Sequence, residues 1–411
     1  MREAGFRVSY IDCLDRFHQR ASETDPSLRC GRGPYRKTPI SRPLGLADVP
    51  RTYSRYGIAP EWLAADLRAL DRPDLILVTS LMTYWYPGVR ETIDHIRTVF
   101  PGAPVVLGGI YARLWTYHAR SACGADEVVT LSDEGEILEW IAGRVGFPVS
   151  MTVDAADLDA LPWPALDLQS KIPFAPLLTV RGCPFQCAYC ASKFLEPVCR
   201  RRQPAAVAEE IRYWRDAHGV RDFVFYDDAL LMDAERHAVP LLEAIIRSGG
   251  RESMRFHTPN AVHIRGITRE TAGLMFRAGF RTLRLGLETT AFDSRSDLDR
   301  KVTEAEFRQA VAHLKAAGFE RDQVGAYLLT GLPGQETAGV ETSIRVVKDS
   351  GITPIPAHYT PIPHTALWEK AVAASRYDLP SDPVFTNNAV FPCMPAFSWE
   401  TASRLKRLCA G

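Results

Sequence analysis

Arg181-Gly182-Cys183-Pro184-Phe185-Gln186-Cys187-Ala188-Tyr189-Cys190-Ala191-Ser192 decides how the rest of this chain is read. Cys183, Cys187 and Cys190 stand in a CxxxCxxC spacing just after an apolar run, Ala175 to Val180, that reads as a strand. A short loop with that spacing can turn three thiolates toward one point and hold three irons of a cubane cluster, leaving the fourth iron open to a small molecule. Three cysteines and a distant histidine also make a zinc site. Here the next histidine is His218, and no second CxxC pair exists. An inert thiol cluster is the remaining reading, and Gly182 and Pro184 are poor core residues beside it.

Working outward, short β-branched runs alternate with amphipathic segments from about Pro173 onward. Strands are expected at Leu177–Val180, Asp222–Tyr226, Met254–His257, Thr282–Leu287, Gln323–Leu329 and Thr353–His358. Helices are expected at Ala205–Ala217, Ala234–Arg247, Thr268–Ala278, Glu304–Ala316 and Thr337–Asp349, several stopping at a glycine that suits a left-handed cap. Strands alternating with helices imply right-handed crossovers and a parallel sheet. Six such units make a partial (β/α)6 barrel, whose chemistry sits at the carboxyl ends of the strands, where the cysteine loop falls.

These features resemble the radical S-adenosylmethionine (radical SAM) superfamily over roughly Ala175 to Trp368. The resemblance implies a 4Fe–4S cluster on Cys183, Cys187 and Cys190 that binds S-adenosyl-L-methionine and cleaves it reductively to methionine and a 5′-deoxyadenosyl radical. It implies a small-molecule substrate still to be identified, and a reductase such as flavodoxin or ferredoxin as partner. Tyr189 matches the aromatic residue that shields the cluster. Asp227 and Asp228 stand where relatives receive the methionyl ammonium, in place of the usual Gly-Gly-Glu; a helix cap is the competing role for them. Glu288, after Leu285-Gly286-Leu287, matches the ribose contact, and Gly331 the backbone passing adenine. His364 replaces a common glycine and reads as a solvated loop residue or a proton donor to substrate. Arg181, Lys193, Arg200, Arg201 and Arg202 flank the loop, as solvated bases or as a field favouring reduction.

The first part has its own α/β rhythm, with strands expected at Arg7–Asp12, Leu75–Thr79, Val105–Leu107 and Glu127–Leu131. Helices are expected near Pro60–Leu70, Val89–Phe100 and Glu134–Gly143. Asp74 to Ser80 is nearly continuously apolar, as for a strand buried on both faces. This reads as a doubly wound domain of Rossmann or flavodoxin type. Because Met1–Gly5 looks like the end of a helix, the domain is expected to lack its first strand. It resembles the cobalamin-binding domain preceding many radical SAM domains, through Thr79-Ser80-Leu81 and Leu107-Gly108-Gly109. That resemblance implies Ser80, Leu81, Gly108 and Gly109 as cobalamin contacts. The DxHxxG signature is missing: Asp12-Cys13-Leu14 lacks the histidine, and His18 lies too far along. A corrin-binding domain and a retained scaffold both stay open, as does a non-catalytic zinc-stabilised or corrin-binding protein.

The expected boundaries are 1–145 for this domain, 146–174 for a proline-rich linker, 175–368 for the barrel and 369–411 for an extension. The extension, with Phe391-Pro392-Cys393-Met394-Pro395 and a helix near Trp399–Leu408, is placed to close the barrel mouth. The segment Thr24–Pro50 has no assigned element.

Composition narrows the classes. The 411 residues, 46% hydrophobic, build ample core for two or three domains. Lys+Arg and Asp+Glu both number 49, so no global field recruits nucleic acid. No apolar stretch approaches the ~18 residues that span a bilayer, and Met1–Gly5 is unlike a signal peptide. Nine cysteines with one tight cluster point to reduced thiols serving a metal in the cytoplasm. Cys13, Cys30, Cys123, Cys199, Cys393 and Cys409 read as structural or incidental.

Overall fold

The computed structural model describes residues 1–21, 35–295, 298–394 and 398–410. Cys30, the 24–34 part of the unassigned segment and Pro395 lie outside these. The chain forms two compact units, Met1–Ile172 with Tyr377–Val390, and Pro173–Arg376 with Phe391 onward.

In the first unit a short antiparallel pair, β1 (Lys37–Pro39) and β2 (Ser54–Tyr56), precedes α1 (Pro60–Arg68). Then follow β3 (Ile76–Thr79), α2 (Tyr86–Val99), β4 (Val105–Gly108), α3 (Gly109–Leu114), α4 (Thr116–Ala122), β5 (Glu127–Val128) and α5 (Glu134–Val145). Strands β3, β4 and β5 make a parallel sheet in that order. Pro60 sits at the first turn of α1, where its missing amide costs nothing. Asp133 caps α5 by accepting from the Gly135 amide at 2.9 Å. Leu63, Leu67, Val89, Ile93 and Ile96 on the helices bury against Val105 and Leu107 of the sheet, each contributing roughly 1.5–3 kcal/mol.

Two expectations are corrected here. Arg7–Asp12 is not a strand: it runs without a ladder partner, and it and Ile76–Thr79 both line a cavity of about 1970 Å³. Strand pairing needs backbones about 4.8 Å apart. Lining that cavity, β3 is not buried on both faces; its exposure alternates and Leu77 is 50% exposed.

The second unit opens with β6 (Ala175–Leu177), β7 (Val180–Arg181), α6 (Ser192–Leu195), β8 (Arg200–Arg201), α7 (Pro204–His218) and β9 (Asp222–Phe225). It continues through α8 (Ala238–Arg247), α9 (Gly250–Ser253), β10 (Arg255–His257), α10 (Arg269–Ala278), β11 (Phe280–Glu288) and α11 (Glu304–Ala317). It closes with β12 (Val324–Thr330), α12 (Thr337–Asp349), β13 (Thr353–His358), α13 (Trp368–Ala374) and α14 (Trp399–Ala410). The main sheet has six parallel strands in the order β13-β12-β11-β10-β9-β6, so each strand neighbours the next one in the chain. Phe223, Phe225, Phe256 and Phe280 stack in its interior with centroids 5.5–5.8 Å apart.

The expected strand Leu177–Val180 is divided. Its end turns away as β7 to pair antiparallel with β8, because the Thr179 and Val180 amides are taken by the Asp227 carboxylate rather than a strand. The helix expected from Ala234 starts at Ala238, which leaves Pro240 within the first turn where proline is tolerated. In the extension, Tyr377–Val390 packs with the first unit, while α14 packs on α12 and β13.

Candidate active site

The cysteine loop leaves the main sheet at the carboxyl end of β6. Gly182 takes φ +81° there, and a Cβ would stand 2.8 Å from the Val198 carbonyl oxygen. The loop is stitched on both sides, Ala188 donating its amide to Leu298 O at 2.9 Å and accepting that of Leu367 at 2.8 Å. Cys187 is buried, and burial pushes its thiol up to about 11. Burial also raises the Cys183 thiol, with Cys190 adding repulsion as a near neighbour. The Ser192 amide donates to Cys190 Sγ at 3.4 Å.

Do these thiols suit a cluster? Among the described residues no three His, Cys, Asp or Glu side chains surround one ion-sized point. Zinc draws its donors around one ion, and a cubane takes each thiolate on a different iron. Three thiols within eight residues of one loop, braced through Ala188 and with the Lys301 ammonium on Tyr189 alongside, fit that donor set.

Residues from distant loops complete the surroundings. His263, beyond β10, places Nε2 3.6 Å from Cys183 Sγ and packs its ring on Phe185 at 4.5 Å. Burial above all lowers this imidazole to about 4, so it is neutral. Lys301 donates to the Tyr189 hydroxyl at 2.8 Å and lies 3.5 Å from Glu288 Oε1. Neither residue, nor Thr179, His237, Asn260 or Tyr327, was singled out from sequence; they lie in loops or strands that only the sheet order brings together.

A cavity of about 280 Å³ opens at the strand ends, lined by Asp227, Asp228, Asn260, Glu288 and Tyr327 among others. Glu288 reaches it through an irregularity: the β11–β12 register shifts between Gly286 and Glu288, and Glu288 takes φ +65°, strained for a residue with a Cβ. Burial raises its carboxyl despite Lys301. Asp227 is buried; its Oδ1 accepts from the Thr179 amide, the Thr179 hydroxyl and the Val180 amide. Burial still lifts it to about 7, and Oδ2 has no protein partner. Burial also raises Asp228, against a hydrogen bond with Ser192. Gly331 takes φ +95°, with Phe391 and Met394 on the side where a Cβ would point. His364 stacks on Phe194 at 4.2 Å. Arg200, Arg201 and Arg202 pair with Glu196, Asp233 and Glu210, and Lys193 donates to the Pro197 carbonyl at 2.8 Å.

In the first unit, Ser80, Leu81, Gly108 and Gly109 gather at the carboxyl ends of β3 and β4. Gly109 takes φ +84°, and a Cβ would lie 2.3 Å from Thr79 Oγ1. The Tyr111 amide donates to Ser80 O at 3.3 Å, and Leu81 is exposed. His18 stands elsewhere with both ring nitrogens engaged, Nε2 by Asp66 at 2.7 Å and Nδ1 by the Arg20 amide at 3.2 Å.

The sequence profile of the Radical SAM superfamily matches residues 177–347. The chain carries this match within its second unit. It is 24% identical over 350 residues to an anaerobic magnesium-protoporphyrin IX monomethyl ester cyclase of Cereibacter sphaeroides, covering 76% of this chain and 55% of that one. An uncharacterized methyltransferase of Pyrococcus horikoshii is 25% identical over 228 residues, covering 53% and 48%. The chain thus spans about half the length of the curated relatives it matches. Its fold is similar to that of the radical SAM methyltransferase TsrM of Kitasatospora setae, solved with tryptophan and a SAM analogue, with TM-score 0.59, 19% identity and coverage of 77% and 69%. It is similar as well to the cobalamin-dependent radical SAM enzyme OxsB, with TM-score 0.55, 14% identity and coverage of 85% and 54%.

Proposed function

We propose that this chain is a radical SAM enzyme whose six-stranded sheet curves as a partial (β/α)6 barrel. Cys183, Cys187 and Cys190 would hold a 4Fe–4S cluster with one iron left for SAM. The observation that carries this reading is three thiols of one braced loop beside a cavity lined by Asp228 and Glu288. When bound, the cluster supplies the electron that breaks SAM into methionine and a 5′-deoxyadenosyl radical, which takes hydrogen from a small-molecule substrate.

The chain's own residues bind, orient and shield. Asp227 spends Oδ1 on the Thr179–Val180 corner and keeps only Oδ2, whereas Asp228 offers the methionyl ammonium a carboxylate at the same cavity. Glu288 accepts from ribose hydroxyls, Tyr189 walls off water, and Gly331 offers adenine its backbone. Electrons come from a reductase such as flavodoxin or ferredoxin, and the free thiols suit the cytoplasm. No described helix is long and apolar enough to cross a membrane.

Anaerobic reconstitution with iron and sulfide tests this. Brown protein that forms 5′-deoxyadenosine from SAM, and loses that product in Cys187→Ala, supports the reading. Zinc in place of iron and sulfide, or a loaded protein that never cleaves SAM, overturns it.

A second reading adds cobalamin and methyl transfer, favoured by the Ser80–Leu81 and Gly108–Gly109 turns meeting at one end of the first unit's sheet. With His18 held by Asp66, the cobalt would have no lower ligand from that residue. Corrinoid absorbance retained after loading with hydroxocobalamin supports it; none retained removes it.

A further inference from the structure

We propose that Lys301 sets the reduction potential of the cluster, by holding a buried ammonium against the cysteine loop; the inference rests on the cluster reading above. Beyond β11, Leu298 accepts the Ala188 amide of this loop, and two cations near it in the chain, Arg295 and Lys301, are withdrawn from solvent. Arg295 is spoken for. It pairs with Asp299 at 2.7 Å, both side chains shut from solvent, and donates to the Leu287 and Thr289 carbonyls at 2.9 and 3.2 Å.

Lys301 is held differently. Its side chain is 12% exposed. Its nearest partner, at 2.8 Å, is the neutral hydroxyl of Tyr189, which lies between Cys187 and Cys190 in the loop. Its carboxylate partner, Glu288, is 3.5 Å away, longer than the 2.7–2.9 Å of a tight charge-assisted bond. The ammonium also stands 5.3 Å from the Tyr189 ring centroid. A donor to a phenol oxygen and a neighbour of a carboxylate, this side chain is placed as an ammonium.

Reduction adds one electron, and so one negative charge, to a cluster bound here, with no proton moved. A cation in a low-dielectric site stabilises the added charge, and local charge is among the factors that spread cluster potentials. Removing the ammonium therefore disfavours reduction. Removing its carboxylate partner favours it.

The experiment is a potentiometric titration with dithionite of the full chain, reconstituted with iron and sulfide and kept free of SAM. The reduced cluster is followed by electron paramagnetic resonance. In Lys301→Met the ratio of reduced to oxidised cluster at a given potential is expected to fall about tenfold, a shift of about 59 mV to lower potential. Lys301→Arg stays near wild type, and Glu288→Gln moves the other way by a few-fold. Iron and sulfide content at the wild-type level with an unshifted Lys301→Met potential overturns the inference. That is the result expected of a lysine serving only a ligand carboxylate, since SAM is absent. Should Lys301→Met fail to load, Glu288→Gln decides: an unchanged or lower potential overturns the proposal. A wild-type chain that takes up no iron and sulfide defeats the cluster reading itself, before any titration.

Discussion

The Thr179 hydroxyl donates to Asp227 Oδ1 at 2.6 Å, while the Thr179 amide reaches the same oxygen at 2.8 Å. This contact turns the chain out of β6 and into the cysteine loop. It puts a carboxyl group, lifted to about 7 mainly by burial, at the base of the proposed site.

That carboxyl predicts a pH dependence of stability. In the unfolded chain an aspartate releases its proton near 3.9. Below that value both states are protonated, and above about 7 both are ionised. In between, the native state holds a proton that the unfolded state has lost, so stability falls as pH rises. The upper bound is about 4 kcal/mol, from roughly 1.4 per unit. Asp227→Asn cannot titrate, so urea unfolding of the variant without metal should show a shallower decline between pH 4 and 7. An identical slope in both proteins would refute the assignment.

Thr179 has a second partner, His237 Nε2, at 2.8 Å. Replacing Thr179 by Val keeps the shape and removes the hydroxyl, leaving the buried Asp227 one donor short. A loss of about 1–3 kcal/mol in unfolding free energy is expected, and Thr179→Ser should recover most of it. If Val and Ser behave alike, the hydroxyl contributes nothing at this corner.

The alternation of strands and helices in the second unit was readable because its punctuation is local. Gly279 and Gly318 end α10 and α11 in the left-handed conformation, and the run Thr353–His358 is a strand over those same residues. What failed depended on distant partners. Arg7–Asp12 looks like a strand, but strand formation needs a neighbour's backbone, and this segment lines a cavity instead. The cysteines of the candidate site were legible from their spacing. His263 and Lys301 were not, because they come 80 and 112 residues after the loop residues they touch.

Gly182 predicts a loss confined to the loop. Its φ of +81° costs alanine roughly 1–2 kcal/mol, before the contacts at 2.8 and 3.0 Å with the Val198 and Glu196 carbonyl oxygens. Those oxygens are backbone and cannot swing aside. Gly182→Ala should retain about tenfold less iron per chain after reconstitution, the factor for about 1.4 kcal/mol, with far-ultraviolet dichroism unchanged. Wild-type iron content in this variant would show that the loop tolerates another path.

Gly109 permits a sharper test, since its obstacle is a side chain. A Cβ there would meet Thr79 Oγ1 at 2.3 Å, with Ser80 O next at 3.4 Å. If intramolecular packing imposes the glycine, Gly109→Ala destabilises the chain, and Thr79→Ala in the same molecule recovers part of the loss. The positive φ, which Thr79 does not cause, leaves a residue of about 1–2 kcal/mol. A double-mutant cycle by denaturant unfolding should give a coupling within the 0.5–3 kcal/mol range of residues in contact. Zero coupling, with Gly109→Ala nearly neutral in the chain alone but unable to retain hydroxocobalamin, would instead assign the glycine to the close approach of a corrin.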